Sequence, residues 1–244
     1  MGPRARVGSA KAPSGRRPRK RYAKPSVTVD IVIFTVVDGD LKILLIERSA
    51  PPFEGHWALP GGFVEVRDAP GDQGEDLETA AHRELCEETG LPEGKLSLEQ
   101  LHTFGRAGRD PRTRVITVAY VALCRPDLVG LVRGGSDAAQ ARWVSWAADV
   151  PSLRLAFDHR DILAQAVRTI RARIDCSSLG RELLPRAFTA AALRAMVAAV
   201  KGPGHDSADF RRCFARMLSD RIIVAGRDSR RPGAKRAPTY RFVG

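Results

Sequence analysis

The sequence predicts an α+β protein with two domains, a mixed α/β sandwich followed by a domain of three helices and a β-hairpin. Up to about residue 150, segments of β-branched residues alternate with one amphipathic helical segment. After Pro151 the apolar residues follow helical spacing, and two short strand patterns flank a basic loop rich in Gly and Pro. A length of 244 residues is also sufficient for two hydrophobic cores.

Residues 26–150 are predicted to form the sandwich. Val27–Val37 and Leu41–Glu47 flank an Asp-Gly-Asp turn and predict a β-hairpin. The helix predicted over 76–89 carries apolar residues at helical spacing and ends before Gly90, a residue type that favours the left-handed cap. Further strands are predicted at 63–66, 98–107, 113–124 and 142–146.

Residues 151–158 are predicted to be a linker and residues 159–244 a second domain. Its helices are predicted at 158–175, 189–200 and 207–219, and its strands at 221–225 and 239–243. Three helices followed by a hairpin with a cationic tip form the layout of a winged helix-turn-helix domain.

Charge is distributed very unevenly along the chain. Residues 1–25 have a net charge of +9, residues 26–158 of −8 and residues 159–244 of +11, which together give the +12 of the whole chain. The acidic segment suits metal-assisted nucleotide chemistry, and the basic C-terminal segment suits a polyphosphate partner such as DNA. The alternative is a basic surface that serves only solubility.

Residues 1–25 are rich in Pro, Gly, Ser and Arg, so we expect a disordered basic tail that either contacts phosphates nonspecifically or has no role. No apolar run approaches the roughly 20 residues that span a bilayer, and no apolar segment follows the basic N-terminus. We therefore expect a cytoplasmic protein without membrane contact. The Cys and His residues lack metal-ligand spacing, which argues against a zinc site.

A cluster of acids lies on the helix predicted over 76–89. Glu84, Glu87 and Glu88 are three or four residues apart, so we expect all three carboxylates on one face, where they repel one another. Mg²⁺ prefers oxygen ligands and bridges diphosphate oxygens, so it would compensate for this charge. The alternative is a solvated acidic helix face.

This helix resembles the Nudix box, whose pattern is G-x5-E-x7-R-E-U-x-E-E-x-G-U with U apolar. The matching residues are Glu75, Arg83, Glu84, Leu85, Glu87, Glu88, Gly90 and Leu91. Residues 57–65 also resemble the strand that enters the box in this family. The resemblance implies a Nudix α/β/α sandwich with a mixed sheet.

The resemblance also implies roles for the helix residues. Glu84 and Glu88 would be the main metal ligands and Glu87 an auxiliary ligand, with Arg83 as the salt-bridge partner that orients them. If the site is catalytic, the resemblance assigns catalysis to Glu84, Glu87 and Arg83.

The sequence departs from the Nudix pattern at two places. Residues 67–73 form a seven-residue insertion between Gly62 and the acidic helix, and Gln140 stands where hydrolases of the family often carry a Glu, with Asp137 as a possible substitute. Catalysis tolerates only small displacements of its groups, so binding could persist where hydrolysis did not.

The residues predicted to bind the ligand are a backbone position and several arginines. An arginine can donate two hydrogen bonds to one phosphate, whereas the alternative for each is an ordinary surface position. The predicted set is Arg48, Gly62, Arg106, Arg109 and Arg112.

The C-terminal half resembles a narrower family, the Nudix-related transcriptional regulators of NAD metabolism. The resemblance lies at 155–159, 188–194, 209–212 and 240–242. It implies a homodimeric repressor that binds operator DNA and responds to ADP-ribose or a related nucleotide. The alternative is a Mg²⁺-dependent ADP-ribose-type pyrophosphatase with a helical appendage.

The helix predicted over 207–219 is the candidate recognition helix. We expect Ser207 at its start and Phe210, Phe214 and Leu218 toward the core. Arg211, Arg212 and Arg216 would then face a major groove. In the wing, phosphate or minor-groove contacts are predicted for Arg227, Arg230, Arg231, Lys235 and Arg236. The alternative for this half is a basic helical domain used for dimerisation.

Overall fold

The computed structural model describes residues 24–67, 69, 71–92, 94–133, 138–174, 178–204, 207–226 and 237–243. Most of the predicted N-terminal tail lies outside these residues. So do Asp137 and the five predicted wing residues Arg227, Arg230, Arg231, Lys235 and Arg236.

The first sheet is mixed, as the sequence predicts. Its strands are β1 (Ser26–Val37), β2 (Asp40–Arg48), β3 (Trp57–Ala58), β4 (Gly61–Phe63), β5 (Leu98–Phe104), β6 (Val115–Leu123) and β7 (Ala138–Ser145). The strands follow the order β3-β2-β1-β6-β5, with β4 paired to β1 and β7 to β2. β1 runs parallel to β6, and the other described pairs are antiparallel. The strand predicted at 63–66 lies slightly earlier, because residues 61–63 hydrogen-bond to β1.

Two helices cover the two faces of this sheet. Alternate residues of β1 point to opposite faces, so Ile31 packs with Leu85 of α1 (Leu77–Thr89), whereas Phe34 packs with Ile162 of α2 (His159–Arg173). The result is an α/β/α sandwich in which α2 belongs to the third layer, with residues 190–201 of the C-terminal part also packed against β1 and β2. The predicted boundary places α2 in the second domain, yet the apolar face of α2 belongs to the same core as the sheet.

The C-terminal part contains α3 (Ala190–Lys201), α4 (Ser207–Ser219) and a small antiparallel sheet. Among the described residues this sheet joins β8 (Phe188–Thr189), β10 (Thr239–Phe242) and β9 (Ile223–Ala225), in that order. The sequence predicts the helices and the last two strands, but β8 is too short to give a pattern. α3 begins after Thr189, whose hydroxyl accepts the backbone N–H of Ala192.

One core prediction for α4 is wrong. Phe210 is buried, but Leu218 is 38% exposed, and Met217 is buried instead. Seven residues make nearly two helical turns, so position 217 returns to the side of 210, whereas position 218 lies about 100° further round. None of the described helices is long and apolar enough to cross a membrane.

Candidate functional site

A polar cleft of about 310 Å³ opens where β1, β4 and α1 meet the loop at 105–114. It is lined by Thr28, Asp30, Ile46, Arg48, Ala58, Leu59, Gly61, Gly62, Phe63, Glu84, Glu88, Arg109, Asp110, Arg112, Val115, Phe157 and His159. Of the predicted ligand and metal residues, the cleft therefore brings together Arg48, Gly62, Glu84, Glu88, Arg109 and Arg112.

Glu84 and Glu88 form the acidic wall of the cleft. Glu88 Oε2 accepts the backbone N–H of Gly61 at 2.7 Å, and Glu84 Oε1 accepts from Arg83 at 2.8 Å. Burial raises the pKa of Glu88 to about 8, and the nearby carboxylates of Glu84 and Asp30 add to this rise against the Gly61 N–H. Burial also raises the pKa of Glu84. The wall thus holds two carboxyl groups whose charged forms need a cation.

Glu87 does not join these two carboxylates. It is exposed and lines a different groove, beside His82 and Cys86. Consecutive helix positions differ by about 100°, so Glu88 lines the cleft and Glu87 does not. Glu87 nevertheless lies beside Glu84, because both accept from Arg83 Nη1.

Arg83 connects α1 to β4 by a hydrogen bond. Its Nη2 donates to Glu75 Oε1 at 2.7 Å and to the Phe63 carbonyl at 3.0 Å, and its Nη1 donates to Glu84 and, at 3.3 Å, to Glu87. These contacts fix the position of Glu84 beside the cleft.

The insertion at 67–73 leaves this geometry intact. The Glu75 N–H donates to the Glu65 carbonyl at 3.0 Å, and the Glu65 N–H donates to Glu75 Oε1 at 2.9 Å, so the two residues that flank the insertion lie side by side. Within it, Asp72 accepts the backbone N–H groups of Arg67 and Gly74. Glu75 therefore keeps its contact with Arg83 despite the insertion.

The cleft fits a divalent cation only together with a ligand. Among the residues that the structure describes, no three His, Cys, Asp or Glu side chains form a metal-binding group. Mg²⁺ usually binds through one or two carboxylates and completes its octahedron with water and substrate phosphates. Glu84 and Glu88 match that mode, in which the ligand supplies the remaining oxygens.

Arg48 and Arg112 lie around an aromatic ring of the cleft and form what we call its cationic wall, in which Arg112 is paired with the buried Asp110 at 2.7 Å. Their guanidinium carbons lie 5.1 and 5.7 Å from the centre of the Phe157 ring, and Arg112 lies 5.3 Å from that of Phe63. Burial and the neighbouring Arg112 lower the pKa of Arg48. An anion between the two guanidinium groups would relieve their repulsion.

The other two predicted arginines lie in different surroundings. Arg109 borders the cleft, but its side chain is buried and donates two hydrogen bonds to Asp158, at 3.0 and 2.7 Å. Arg106 does not line the cleft; it is largely exposed and lies 3.8 Å from Asp161.

The exposed face of α4 is strongly basic. Arg211, Arg212 and Arg216 are all exposed, whereas Phe210 and Met217 of the same helix are buried. Ser207 begins the helix, although its side chain lies outside the description. The prediction that the three arginines point away from the core is therefore met by the structure.

The comparisons with known proteins match this geometry. A family model described as the NUDIX domain matches residues 26–166. The chain belongs to the Nudix family.

Full-length relatives place the Nudix chain in a narrower group. It is 34% identical over its whole length to a protein of Acinetobacter baylyi named ADPR responsive transcriptional repressor NtrR, covering 92% of that protein. It is also similar to Shewanella oneidensis NrtR, whose crystal structure is complexed with a 27mer DNA, at 31% identity and a TM-score of 0.71, over 89% of this chain and 93% of that one. The chain thus belongs to the same group of Nudix proteins as NtrR and NrtR.

An enzyme also matches the Nudix part. The ADP-ribose pyrophosphatase of Methanocaldococcus jannaschii is 39% identical over 149 residues, which are 60% of this chain and 76% of the enzyme. Nudix hydrolases act with divalent metal ions, in agreement with the acidic wall of the cleft.

Sequence reasoning missed several residues of the Nudix cleft. Asp30 lies in the middle of the buried β1, and a lone acid in an apolar strand is a signal that could have identified it. Phe157, Asp158 and His159 fall in or beside the segment predicted to be a linker, although they line or support the cleft.

Proposed function

We propose that this Nudix protein is a transcriptional repressor of NAD biosynthesis or related nucleotide metabolism, which senses ADP-ribose or a similar nucleotide diphosphate in its cleft. The observation that carries the proposal is the presence in one chain of a cleft with acidic and cationic walls and an exposed basic helix. The full-length similarity to an ADPR-responsive repressor supports it.

The two walls of the cleft suit a diphosphate. We propose that Glu84 and Glu88 hold Mg²⁺, that Arg83 orients Glu84, and that Glu87 serves as an auxiliary acid from outside the cleft. When bound, the cation would neutralise diphosphate oxygens, while Arg48 and Arg112 contact the opposite side of the ligand. Gly62 lies close to Glu84 and has no side chain. Its backbone can therefore contact the ligand directly.

The basic helix suits double-stranded operator DNA. We propose that Arg211, Arg212 and Arg216 enter a major groove with Ser207 at the start of the helix. The wing residues Arg227, Arg230, Arg231, Lys235 and Arg236 would contact phosphates. Such regulators are usually two-fold symmetric, so we propose a homodimer on a near-palindromic site, acting in the cytoplasm where it meets DNA.

The decisive experiment measures DNA binding by fluorescence anisotropy with the DNA upstream of the protein's own gene and a scrambled duplex. We expect preference for the upstream duplex and a change in its Kd when ADP-ribose and Mg²⁺ are added. AMP added with ribose 5-phosphate serves as the control, because it supplies both halves without the diphosphate link. Equal binding to both duplexes, or no response to ADP-ribose, contradicts the proposal.

A second activity, hydrolysis of ADP-ribose to AMP and ribose 5-phosphate, is favoured by the intact contact between Glu75 and Arg83 despite the insertion. Against it, Gln140 cannot act as a base. Incubation with ADP-ribose and Mg²⁺, with AMP measured by chromatography, tests it. Rapid release of AMP that Glu88→Gln abolishes supports hydrolysis, and an unchanged substrate refutes it.

A further inference from the structure

The segment predicted to be a linker is part of the cleft. The Trp57 N–H donates to the Arg154 carbonyl, and the Ala156 N–H donates to the Trp57 carbonyl, both at 2.9 Å, so the segment forms a parallel β-bridge to β3. Phe157 then lines the cleft with a left-handed backbone, at φ of 50°. Asp158 follows as the N-cap residue of α2. The cleft residue Phe157 is therefore separated from the first residue of α2 by Asp158 alone.

A buried ion pair joins this corner to the loop that carries Arg112. Arg109 Nε lies 3.0 Å from Asp158 Oδ2, and its Nη2 lies 2.7 Å from Oδ1, with both side chains 4% exposed. The same Nη2 also lies 3.4 Å from Asp30 Oδ2 in β1. Separating Arg109 from Asp158 would leave a buried charge unpaired, which is energetically costly. A movement of the loop must therefore either carry the start of α2 with it or give Arg109 and Asp158 new partners.

His159, the first residue of α2, contacts the acidic side of the cleft. Its Nδ1 accepts the Leu59 N–H at 2.9 Å, which places the ring proton on Nε2, 3.4 Å from Asp30 Oδ1. Two residues after Leu59, the Gly61 N–H donates to Glu88. Both walls of the cleft are therefore connected to the first turn of α2, the cationic wall through Arg109 and the acidic wall through His159.

α2 carries this connection toward the DNA-binding half. Its apolar face packs in the core that also contains Leu193 and Val197 of α3. At its far end, Arg171 Nε donates to the Val200 carbonyl at the end of α3 at 2.9 Å. α3 lies directly before α4 in the chain.

We propose that the ion pair of Asp158 and Arg109 is the coupling element that transmits occupancy of the cleft to α2 and so to the DNA-binding helices. Arg112 is paired with Asp110 of its own loop, so a diphosphate that draws in Arg112 moves this loop, which also holds Arg109. The ion pair of Arg109 then passes the displacement to Asp158. Asp158 and Arg109 act as positioning residues here. The inference rests on the proposed function, since it assigns the regulation of the same cleft.

The test compares the Kd for operator DNA with and without saturating ADP-ribose in full-length variants. Typical allosteric couplings change affinity by roughly 5- to 150-fold. We expect Asp158→Asn and Arg109→Lys to bring this ratio to within about twofold of one. Asp158 does not line the cleft, so Asp158→Asn should still bind both DNA and ADP-ribose saturably. Asp127→Asn is the matched control, because Asp127 forms a bidentate pair with Arg125 away from the cleft, and it should keep the wild-type ratio.

If both folded variants keep the ratio of Kd values seen in the wild type, the inference is overturned but the proposed function is not. If the wild type itself shows a ratio of one, both are overturned. Amide hydrogen exchange of the wild-type protein provides a second test, which does not depend on whether the substituted proteins fold. ADP-ribose should slow exchange of the Asp161 and Ile162 amides, which donate to the Asp158 carbonyl outside the cleft. Unchanged exchange of these amides, in protein that binds the ligand, refutes the coupling.

Discussion

Gly62 and Glu84 approach so closely that a Cβ atom at position 62 would lie 2.2 Å from Glu84 Oε1. The clash involves the end of a flexible side chain, so Gly62→Ala should displace the carboxylate and leave the fold in place. We expect ADP-ribose binding in Mg²⁺ to weaken at least about tenfold, a loss of about 1.4 kcal/mol. Calorimetric titration measures this loss.

Gly130→Ala is the control for this substitution, because a Cβ there meets no atom within 4 Å. Urea unfolding should show both variants within about 1 kcal/mol of the wild type. Wild-type affinity in Gly62→Ala would show that the position of the Glu84 carboxylate does not matter for the ligand.

The metal-free protein should lose stability as the pH rises. Burial raises the pKa of Glu88 to about 8, so between pH 4.5 and 8 the folded state keeps a proton that the unfolded state releases. The stability is fully present below the unfolded pKa and declines through about pH 8. After allowance for solvent at the open cleft, we expect a decline of about 1 to 3 kcal/mol.

Urea unfolding in chelator from pH 5 to 8.5 measures this decline. Glu88→Gln should flatten it, whereas Glu78→Gln, on the exposed side of the same helix, should keep the wild-type slope. A wild-type slope in Glu88→Gln would assign the proton to another group.

Arg83 should contribute more to stability than an ordinary surface arginine. Arg83→Ala removes hydrogen bonds to Glu75, to Glu84 and to the Phe63 carbonyl. Hydrogen bonds to charged groups are worth about 1.5 to 3 kcal/mol each, and partial exposure lowers that figure, so we expect a loss of about 2 to 3 kcal/mol. Arg125→Ala, which breaks only the pair with the more exposed Asp127, should cost less than about 1 kcal/mol. Similar losses in the two variants by urea unfolding would contradict the central role of Arg83.

The basic face of α4 should discriminate between DNA sequences. If Arg211 reaches a base edge, Arg211→Ala should cost about 1 to 3 kcal/mol on the operator and much less on a scrambled duplex. Arg142→Ala removes the same charge from an exposed position on β7 and should leave the preference unchanged. Anisotropy titrations at several salt concentrations measure both. Equal losses on the two duplexes for Arg211→Ala would assign this residue to phosphates alone.

The sequence was sufficient where local patterns decide the structure. The hairpin of β1 and β2, the acidic helix and the three C-terminal helices all follow from residue spacing, which depends on neighbours along the chain. Spacing was not sufficient where rotation about a helix axis matters, as for Glu87, which does not line the cleft, and for Leu218, whose expected place in the core is taken by Met217.

Contacts between segments that are distant along the chain could not be predicted from the sequence. Arg109 and Asp158 are 49 residues apart, and nothing near either residue indicates the other. An arginine in a Gly-rich loop suggests a phosphate contact, and only the folded chain shows that a buried carboxylate occupies its guanidinium. For the same reason, residues 151–158 resemble a linker in sequence although residues 154–156 hydrogen-bond to Trp57 of β3.

The position of α2 limits how such a chain can be cut or recombined. Because α2 covers one face of the sheet, a truncation after Asp158 would remove this helix and expose the face that carries Phe34 to water. A gene fusion that joined another domain at that point would inherit the same exposed surface. Any segment moved into another protein must therefore keep α2 with the sandwich, because this helix covers the Phe34 face of the sheet.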